Sequence, residues 1–484
     1  MGKGARSREK NAEKRTELQL KQTMEAKKKK RNKWIISIIS LVLVVTLGTS
    51  GLVYAFYYGN GKYLRDTTAV STENFKVDNA MMTYFFRNSY ESTKASYGGY
   101  FEQLSGVNPN KSLKDQKASG GDKSWFDTLL DSTKTAVSQM LVLAESAKAD
   151  GMELSESDRK LIENNVKALA PTYCKDGVSK EDIQHALEIS VLSNKYTNKV
   201  KSDLQFSESD IEKQFTENEN TYKTAAYRSY TIDYKDETAA EAKEKAAELM
   251  AATSEDQFLL LAKELITAGD TTLDDAAVQT KLDATLAAKV SYTADDEVSE
   301  WAFDKNRKVG DTKLKETADI KEYTVYFLTS PAVEDKSNTV NIRHILFTVN
   351  KYGSDDKAKA QAEEVLKKWQ ETPTEEAFGN LAAEYSEDGG SNQNGGLYTG
   401  VVQGSMMQEF DAWCFDAARK VGDSDIVKTD AGFHIMYYAG AGKEVWQEAA
   451  ETDLKNNAYE EKLTALKAQH PVTINEEKLT DIPA

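Results

Sequence analysis

Two of the four histidines in this 484-residue chain stand in short runs where apolar and polar side chains alternate. His344 lies in Val340-Asn341-Ile342-Arg343-His344-Ile345-Leu346-Phe347, and His434 in Thr429-Asp430-Ala431-Gly432-Phe433-His434-Ile435-Met436-Tyr437-Tyr438. The alternation predicts half-buried strands, the second entered through a turn. Between them come Tyr385-Ser386-Glu387-Asp388-Gly389-Gly390-Ser391, Asn394-Gly395-Gly396-Leu397 and Gly404-Ser405-Met406-Met407-Gln408-Glu409-Phe410. Taken singly, these residues have ordinary readings. A strand histidine is commonly a satisfied core residue, and Met406 with Phe410, four apart, makes one inward helix face. Gly395-Gly396 reads as a turn. Cys414 with His434 raises a thiol nucleophile, but Cys414 falls in a Trp-Cys-Phe run, reads as buried and lacks a third partner. Cys174 and Cys414 are too few and too scattered for a zinc site or a disulfide framework.

The ordered succession is more specific than its parts. It resembles the parvulin family of peptidyl-prolyl isomerases, and the chain as a whole resembles membrane-anchored foldases of the PrsA and SurA types. A prolyl isomerase forms no bond; it lowers an amide rotation barrier of about 18–20 kcal/mol. Two devices serve that end: a dry apolar pocket for the proline ring, and a fixed polar array that favours the twisted amide. Position by position, the resemblance implies that His344 and His434 are the family's paired strand histidines. It implies that Asp388 fills the site where some relatives have cysteine, and that Thr429 supports the histidine pair. Leu397, Met406 and Phe410 match the proline-pocket residues, and Phe415 an aromatic of the pocket wall. No cofactor and no metal are implied. The implied partners are unfolded or partly folded exported polypeptides, and a homodimer stays open. Three positions depart from the family pattern. Tyr398 stands where glycine usually follows the leucine, the loop from Leu397 to Gly404 is one residue longer, and Ala431 lacks a hydroxyl.

The elements that must position these residues occur twice. Tyr227-Arg228-Ser229-Tyr230-Thr231-Ile232 parallels residues 342–347, and Ser254-Glu255-Asp256-Gln257-Phe258 parallels Thr374-Glu375-Glu376-Ala377-Phe378. Trp301-Ala302-Phe303-Asp304 through Val309-Gly310-Asp311 matches Trp413-Cys414-Phe415-Asp416 through Val421-Gly422-Asp423, and residues 323–327 echo 433–437. Order and spacing agree, which predicts an internal duplication. Ser229 and Thr324 stand in the places of His344 and His434, and nothing in the first copy answers the Gly-Gly-Leu or Gly-Ser-Met-Met-Gln-Glu-Phe blocks. The first copy is therefore expected to keep the fold and lack the activity.

Before the copies, the chain reads as helical. Leu129 to Ala149 has helical apolar spacing and stops at Gly151, and three capping boxes start at Ser155, Ser179 and Ser207. Met81-Met82-Tyr84-Phe85-Phe86 reads as core, with an exposed client groove as the other reading. His185 falls on a polar helix face, and His470-Pro471 ends a helix over 445–469. The Trp34–Tyr58 segment carries no charge; as a helix it spans about 37 Å, enough for a bilayer core of roughly 30 Å. Residues 1–33 hold 13 basic and 4 acidic residues, ending in Lys27-Lys28-Lys29-Lys30-Arg31-Asn32-Lys33. That cluster predicts a cytoplasmic N-terminus, a single span and an extracytoplasmic bulk. A cleaved signal peptide is the rival reading, without a convincing cleavage site. The net charge of −16 argues against nucleic acid.

The expected architecture is α+β and multidomain. It comprises a basic tail (1–33), a transmembrane helix (34–58), a helical chaperone-like domain (59–221), a degenerate parvulin-like module (222–332), a parvulin isomerase module (333–440) and a C-terminal helix returning to the helical domain (441–484). Each module is an antiparallel sheet with flanking helices. The function implied is isomerase and foldase for exported proteins, with a client-holding chaperone or a structural membrane subunit as the alternatives.

Overall fold

The computed structural model describes residues 61–118, 121–175, 177–234 and 238–482. The basic tail and the expected transmembrane helix, residues 1–58, lie outside them. Among the described residues no helix is long and apolar enough to cross a membrane. The described residues divide into two compact units, one of residues 61–145, 162–190 and 470–482, the other of residues 146–161 and 191–469.

In the first unit, strands β1 (Thr68–Ser71) and β2 (Lys76–Asp78) form an antiparallel ribbon. The short C-terminal strand Thr473–Ile474 extends it, with Val70 opposite both Val77 and Ile474. Asp78 caps helix α1 (Asn79–Tyr97) by accepting from the Met81 amide. Met81, Met82, Tyr84 and Phe86 of that helix are buried, so the cluster is core. The apolar spacing after Leu129 forms helix α2 (Trp125–Ala149), and Gly151 beyond it has φ 71°. Helices α3 (Glu156–Tyr173) and α4 (Lys180–Asp203) follow. Their expected capping boxes form: Ser155 and Asp158, like Ser179 and Asp182, each accept the other's backbone N–H. Residues after Gln469 join the first unit, where Leu479 and Ile482 are buried.

The second unit holds two four-stranded antiparallel sheets entered through helix α5 (Glu208–Glu217). The first sheet comprises β3 (Lys223–Asp233), β4 (Leu286–Ser291), β5 (Thr312–Thr317) and β6 (Glu322–Glu334) in the order β4-β3-β6-β5. Helices α6 (Ala239–Met250), α7 (Glu255–Gly269) and α8 (Asp275–Asp283) cover one face, and α9 (Glu297–Ala302) the other. The second sheet comprises β7 (Asn338–Phe347), β8 (Leu397–Val401), β9 (Ser424–Thr429) and β10 (Gly432–Glu444) in the order β8-β7-β10-β9. Helices α10 (Asp355–Glu371) and α11 (Glu375–Tyr385) cover one face, where Ile345, Phe347, Phe433, Ile435 and Tyr437 are buried. Helix α12 (Gln408–Cys414) covers the other, over Val340, Ile342 and Met436. Strand alternation, which sends successive side chains to opposite faces, thus sorts two cores from one strand pair. Helix α13 (Val445–Gln469) then packs on α5 through Ala450 and Trp446 against Ile211 and Phe215.

The two sheets repeat one another in register. Ser229 faces Tyr326 as His344 faces Met436, and Thr231 faces Thr324 as Leu346 faces His434. Arg228 pairs with Glu255 at 2.8 Å as Arg343 pairs with Glu375 at 2.9 Å. One expectation needs correcting: the first copy does have a counterpart of the Leu397 strand. Its Leu286 faces Arg228 as Leu397 faces Arg343, and the Ser229 amide donates to Thr285 O as the His344 amide does to Gly396 O. The counterpart escaped notice because its glycines are replaced. Lys289, at φ 54°, takes the left-handed bend that Gly400, at φ 65°, takes in the second copy.

Candidate active site

His344 on β7 and His434 on β10 project from the same sheet face, diagonally across the two central strands. Their Nδ1 atoms lie 3.1 Å apart, and both residues are almost fully buried. At the far side of His434, Nε2 is 2.8 Å from Thr429 Oγ1, which the tight β9–β10 turn brings back over the strand. The Ala431 amide donates to the same hydroxyl. The missing hydroxyl at Ala431 therefore leaves this end of the network intact.

Asp388 arrives from the loop after α11, which is fastened to β7 at several points. The Leu346 amide donates to Ser386 Oγ, the Glu387 amide donates to Leu346 O, and the Thr348 amide donates to Glu387 Oε2. So placed, Asp388 Oδ2 lies 2.9 Å from His344 Nε2. Two further donors converge on that oxygen, the Ser391 hydroxyl at 2.5 Å and the Tyr398 hydroxyl at 3.0 Å. The hydrogen bond from His344 holds the Asp388 carboxyl well below the usual carboxylate range, reinforced by Ser391 against the opposing effect of burial. Burial, and then the proximity of His344, brings the His434 imidazole down to about 4. Burial and the Asp388 charge push the Tyr398 phenol up to about 12.

These states give the network a direction. An ionised carboxylate only accepts, so His344 Nε2 carries a hydrogen toward Asp388. His434, held neutral by burial, has one ring nitrogen that donates and one that accepts, and its contacts with His344 Nδ1 and Thr429 Oγ1 take up both. Every donor finds an acceptor, from the Ala431 amide through Thr429 and both imidazoles to Asp388. Such a satisfied buried chain is rigid, which a preorganised polar array requires.

Next to it stands an apolar wall. The Phe410 ring is edge-on to both imidazoles, at 5.4 Å from His344 and 5.3 Å from His434. Met406, Phe415 and Tyr398 pack against the cluster that contains Phe410, Trp413 and Met436. Leu397 does not join them. It pairs with Arg343 on the opposite sheet face, and alternation brings its neighbour Tyr398 to the site face, opposite Ile342. Leu397 as a pocket residue is thus a correction, caused by the extra residue in that loop and the bend at Gly400. Gly395 and Gly396 are more than a generic turn: both have positive φ, and a Cβ on Gly396 would come within 2.2 Å of His344 O.

Sequence reasoning missed the roles of Ser391, Ser386 and the Tyr398 hydroxyl. Ser391, three residues after Asp388 in a turn-forming Gly-Gly run, was the available signal. Cys414 is buried and burial pushes its thiol up to about 12, so it offers no thiolate. Among the described residues no cluster of histidine, cysteine and acidic groups could hold a metal ion.

Residues 344–440 match the Rotamase family, described as a PPIC-type PPIase domain. Foldase protein PrsA of Geobacillus kaustophilus is 37% identical over 117 residues, 22% of this chain and 39% of that protein. Foldase protein PrsA of Bacillus subtilis is 32% identical over 161 residues, 31% of this chain and 47% of that protein. Chaperone SurA of Pseudomonas putida is 30% identical over 129 residues, 26% and 29% of the two chains. The chain thus spans less than half the length of these curated relatives. The crystal structure of PrsA from Bacillus subtilis aligns over 77% of this chain and 92% of its own, at 18% identity and a TM-score of 0.19.

Proposed function

We propose that this chain, whose residues 344–440 are a PPIC-type peptidyl-prolyl isomerase domain, is a foldase that isomerises Xaa-Pro bonds in exported polypeptides outside the cytoplasmic membrane. The observation that carries the reading is the unbroken chain from Thr429 through His434 and His344 to an ionised Asp388, laid beside the Phe410 wall. A proline ring seated against Phe410, Met406 and Phe415 would lose water that stabilises the planar, charge-separated amide. The Asp388 charge would act on the same difference. Negative potential disfavours the oxygen-centred charge of the planar amide more than the less polar twisted form, so the barrier falls. Each 1.36 kcal/mol removed is about tenfold in rate.

In this reading the first copy contributes binding and no catalysis. Where the second copy has histidines it presents the hydroxyls of Ser229 and Thr324, and Thr324 Oγ1 lies 2.9 Å from that of Thr231, the counterpart of Leu346. The Trp34–Tyr58 segment would anchor the protein, with the basic tail in the cytoplasm and both described units outside. Refolding of a denatured protein limited by a cis prolyl bond is the test. With the chain present, the slow phase should accelerate in proportion to its concentration. An unchanged slow phase with a folded, monodisperse chain would sink the foldase reading.

A further inference from the structure

We propose that the first unit carries a separate peptide-binding cavity, shaped for an apolar side chain flanked by carboxylates in an extended client segment. The proposal rests on the foldase reading above and names the kind of segment it would capture away from the prolyl site. The cavity measures about 360 Å³. That is the lower end of the roughly 300–1,000 Å³ typical of ligand sites. It suits one large side chain with its adjoining backbone better than a folded surface.

Its floor is built and rigid. Phe86, Leu113 and Tyr173 line it and are themselves buried, at 2%, 9% and 7% exposure. The two rings are fixed from behind or beside. The Phe86 ring meets Phe126 at 5.0 Å, Tyr173 meets Tyr84 edge-on at 5.2 Å, and the Tyr173 hydroxyl donates to Asn88 Oδ1 at 3.4 Å. Tyr90, one turn beyond Phe86 on α1, forms a side wall and is held edge-on by Phe101 at 5.8 Å. A floor of rings held in place costs little ordering when a side chain enters.

The rim supplies the specificity. Its charged residues are Arg87, Lys111 and Lys175 against one acid, Glu91. In a chain of net charge −16 a mouth with a threefold excess of cations runs against the overall balance. Lys111 and Lys175 are exposed, and among the described residues neither is ion-paired. Arg87 is steadied by donating from Nη1 to Lys175 O at 3.4 Å. Cations around an aromatic floor match a segment in which aspartate or glutamate brackets an aromatic or branched residue. A basic segment would meet like charge at this rim and be disfavoured there.

The test uses the full chain and fluorescein-labelled decapeptides without proline, so that the isomerase site is not engaged. Peptides centred on Asp-Phe-Asp, Lys-Phe-Lys and Asp-Ser-Asp are compared by fluorescence anisotropy. The first should bind at least tenfold more tightly than either of the others, and weaken several-fold between 50 and 500 mM salt. The Lys111→Glu, Lys175→Glu double variant changes two exposed side chains. It should lose the preference for Asp-Phe-Asp while its isomerisation of a short Xaa-Pro peptide is unchanged. Equal affinity for the acidic and basic peptides, or a ranking untouched by the double variant, would overturn the proposal. So would displacement of the bound peptide by phosphatidylglycerol vesicles but not by unlabelled peptide, which would mark a lipid surface. Failure of the foldase reading itself is separately visible, because then an unfolded proline-containing protein would be neither bound nor refolded faster by the unaltered chain.

Discussion

At the scale of single residues, the account turns on one carboxylate oxygen. Three donors reach Asp388 Oδ2, and only the histidine was anticipated from the sequence. In the sequence Tyr398 is only a departure, standing where glycine usually follows the leucine, because a lone sequence does not say which sheet face a residue meets next to a bend. Removing its hydroxyl in Tyr398→Phe leaves the ring against the apolar wall but takes one hydrogen bond from a charged acceptor. A loss of about 1–1.5 kcal/mol, or roughly 5–10-fold in kcat/KM, is expected with the circular dichroism unchanged. An unaffected kcat/KM would mean that Asp388 does not need the phenol. His434 makes a second prediction. Its folded pKa of about 4 lies below the ordinary histidine value of about 6.5. The unfolded chain therefore binds the extra proton first. The stability this residue contributes is complete above about pH 6.5 and is lost as pH falls toward 4, on the order of 3 kcal/mol in all. Urea midpoints at pH 5 and 7.5 should differ less in His434→Asn than in the unaltered chain. Equal pH dependence in both would contradict a neutral buried imidazole.

At the scale of elements, most of the sheet was legible and its edge was not. The two strand runs around His344 and His434 announce themselves by alternation, and the duplicated Trp-x-Phe-Asp and Val-Gly-Asp blocks fix the same order of elements in both copies. Hydrogen bonds even repeat: the Gly310 amide donates to Leu328 O, and the Gly422 amide to Tyr438 O, each at 2.9 Å. Edge strands β4 and β8 were harder to read because each is bent at a left-handed residue, which interrupts alternation and hides which side chain faces the core. That bend misplaced Leu397 and concealed Leu286. Ser391 stayed hidden for another reason, since its hydroxyl acts only once the 3₁₀ turn Asn392–Asn394 folds the loop under His344. The glycines before β8 allow a direct test. Gly396→Ala should destabilise the protein by about 2 kcal/mol or more, because φ is 71° and His344 O blocks the new Cβ. Gly389→Ala, with nothing within 4 Å of its Cβ, should be nearly neutral. Equal urea midpoints for the two variants would refute the tight approach of β8 to β7.

At the scale of the whole molecule, the proposal divides labour among a holding unit, a silent module and an active one. The anchor and its orientation rest on residues 34–58 and the basic cluster before them. Deleting residues 1–58 should move the protein from a carbonate-resistant membrane fraction to the soluble one without altering peptide isomerisation; recovery of the deleted form in membranes would argue against a single anchor. Silence of the first module follows from Ser229 and Thr324, which offer hydroxyls where the second has imidazoles. Catalysis should therefore come from one site alone. The most direct measurement is cis–trans isomerisation of a short Xaa-Pro peptide at low temperature by the full chain and by its His344→Ala, His434→Ala variant. The account predicts clear acceleration by the unaltered chain and none by the variant. No acceleration by the unaltered chain, or a variant that keeps it, would contradict the site described above.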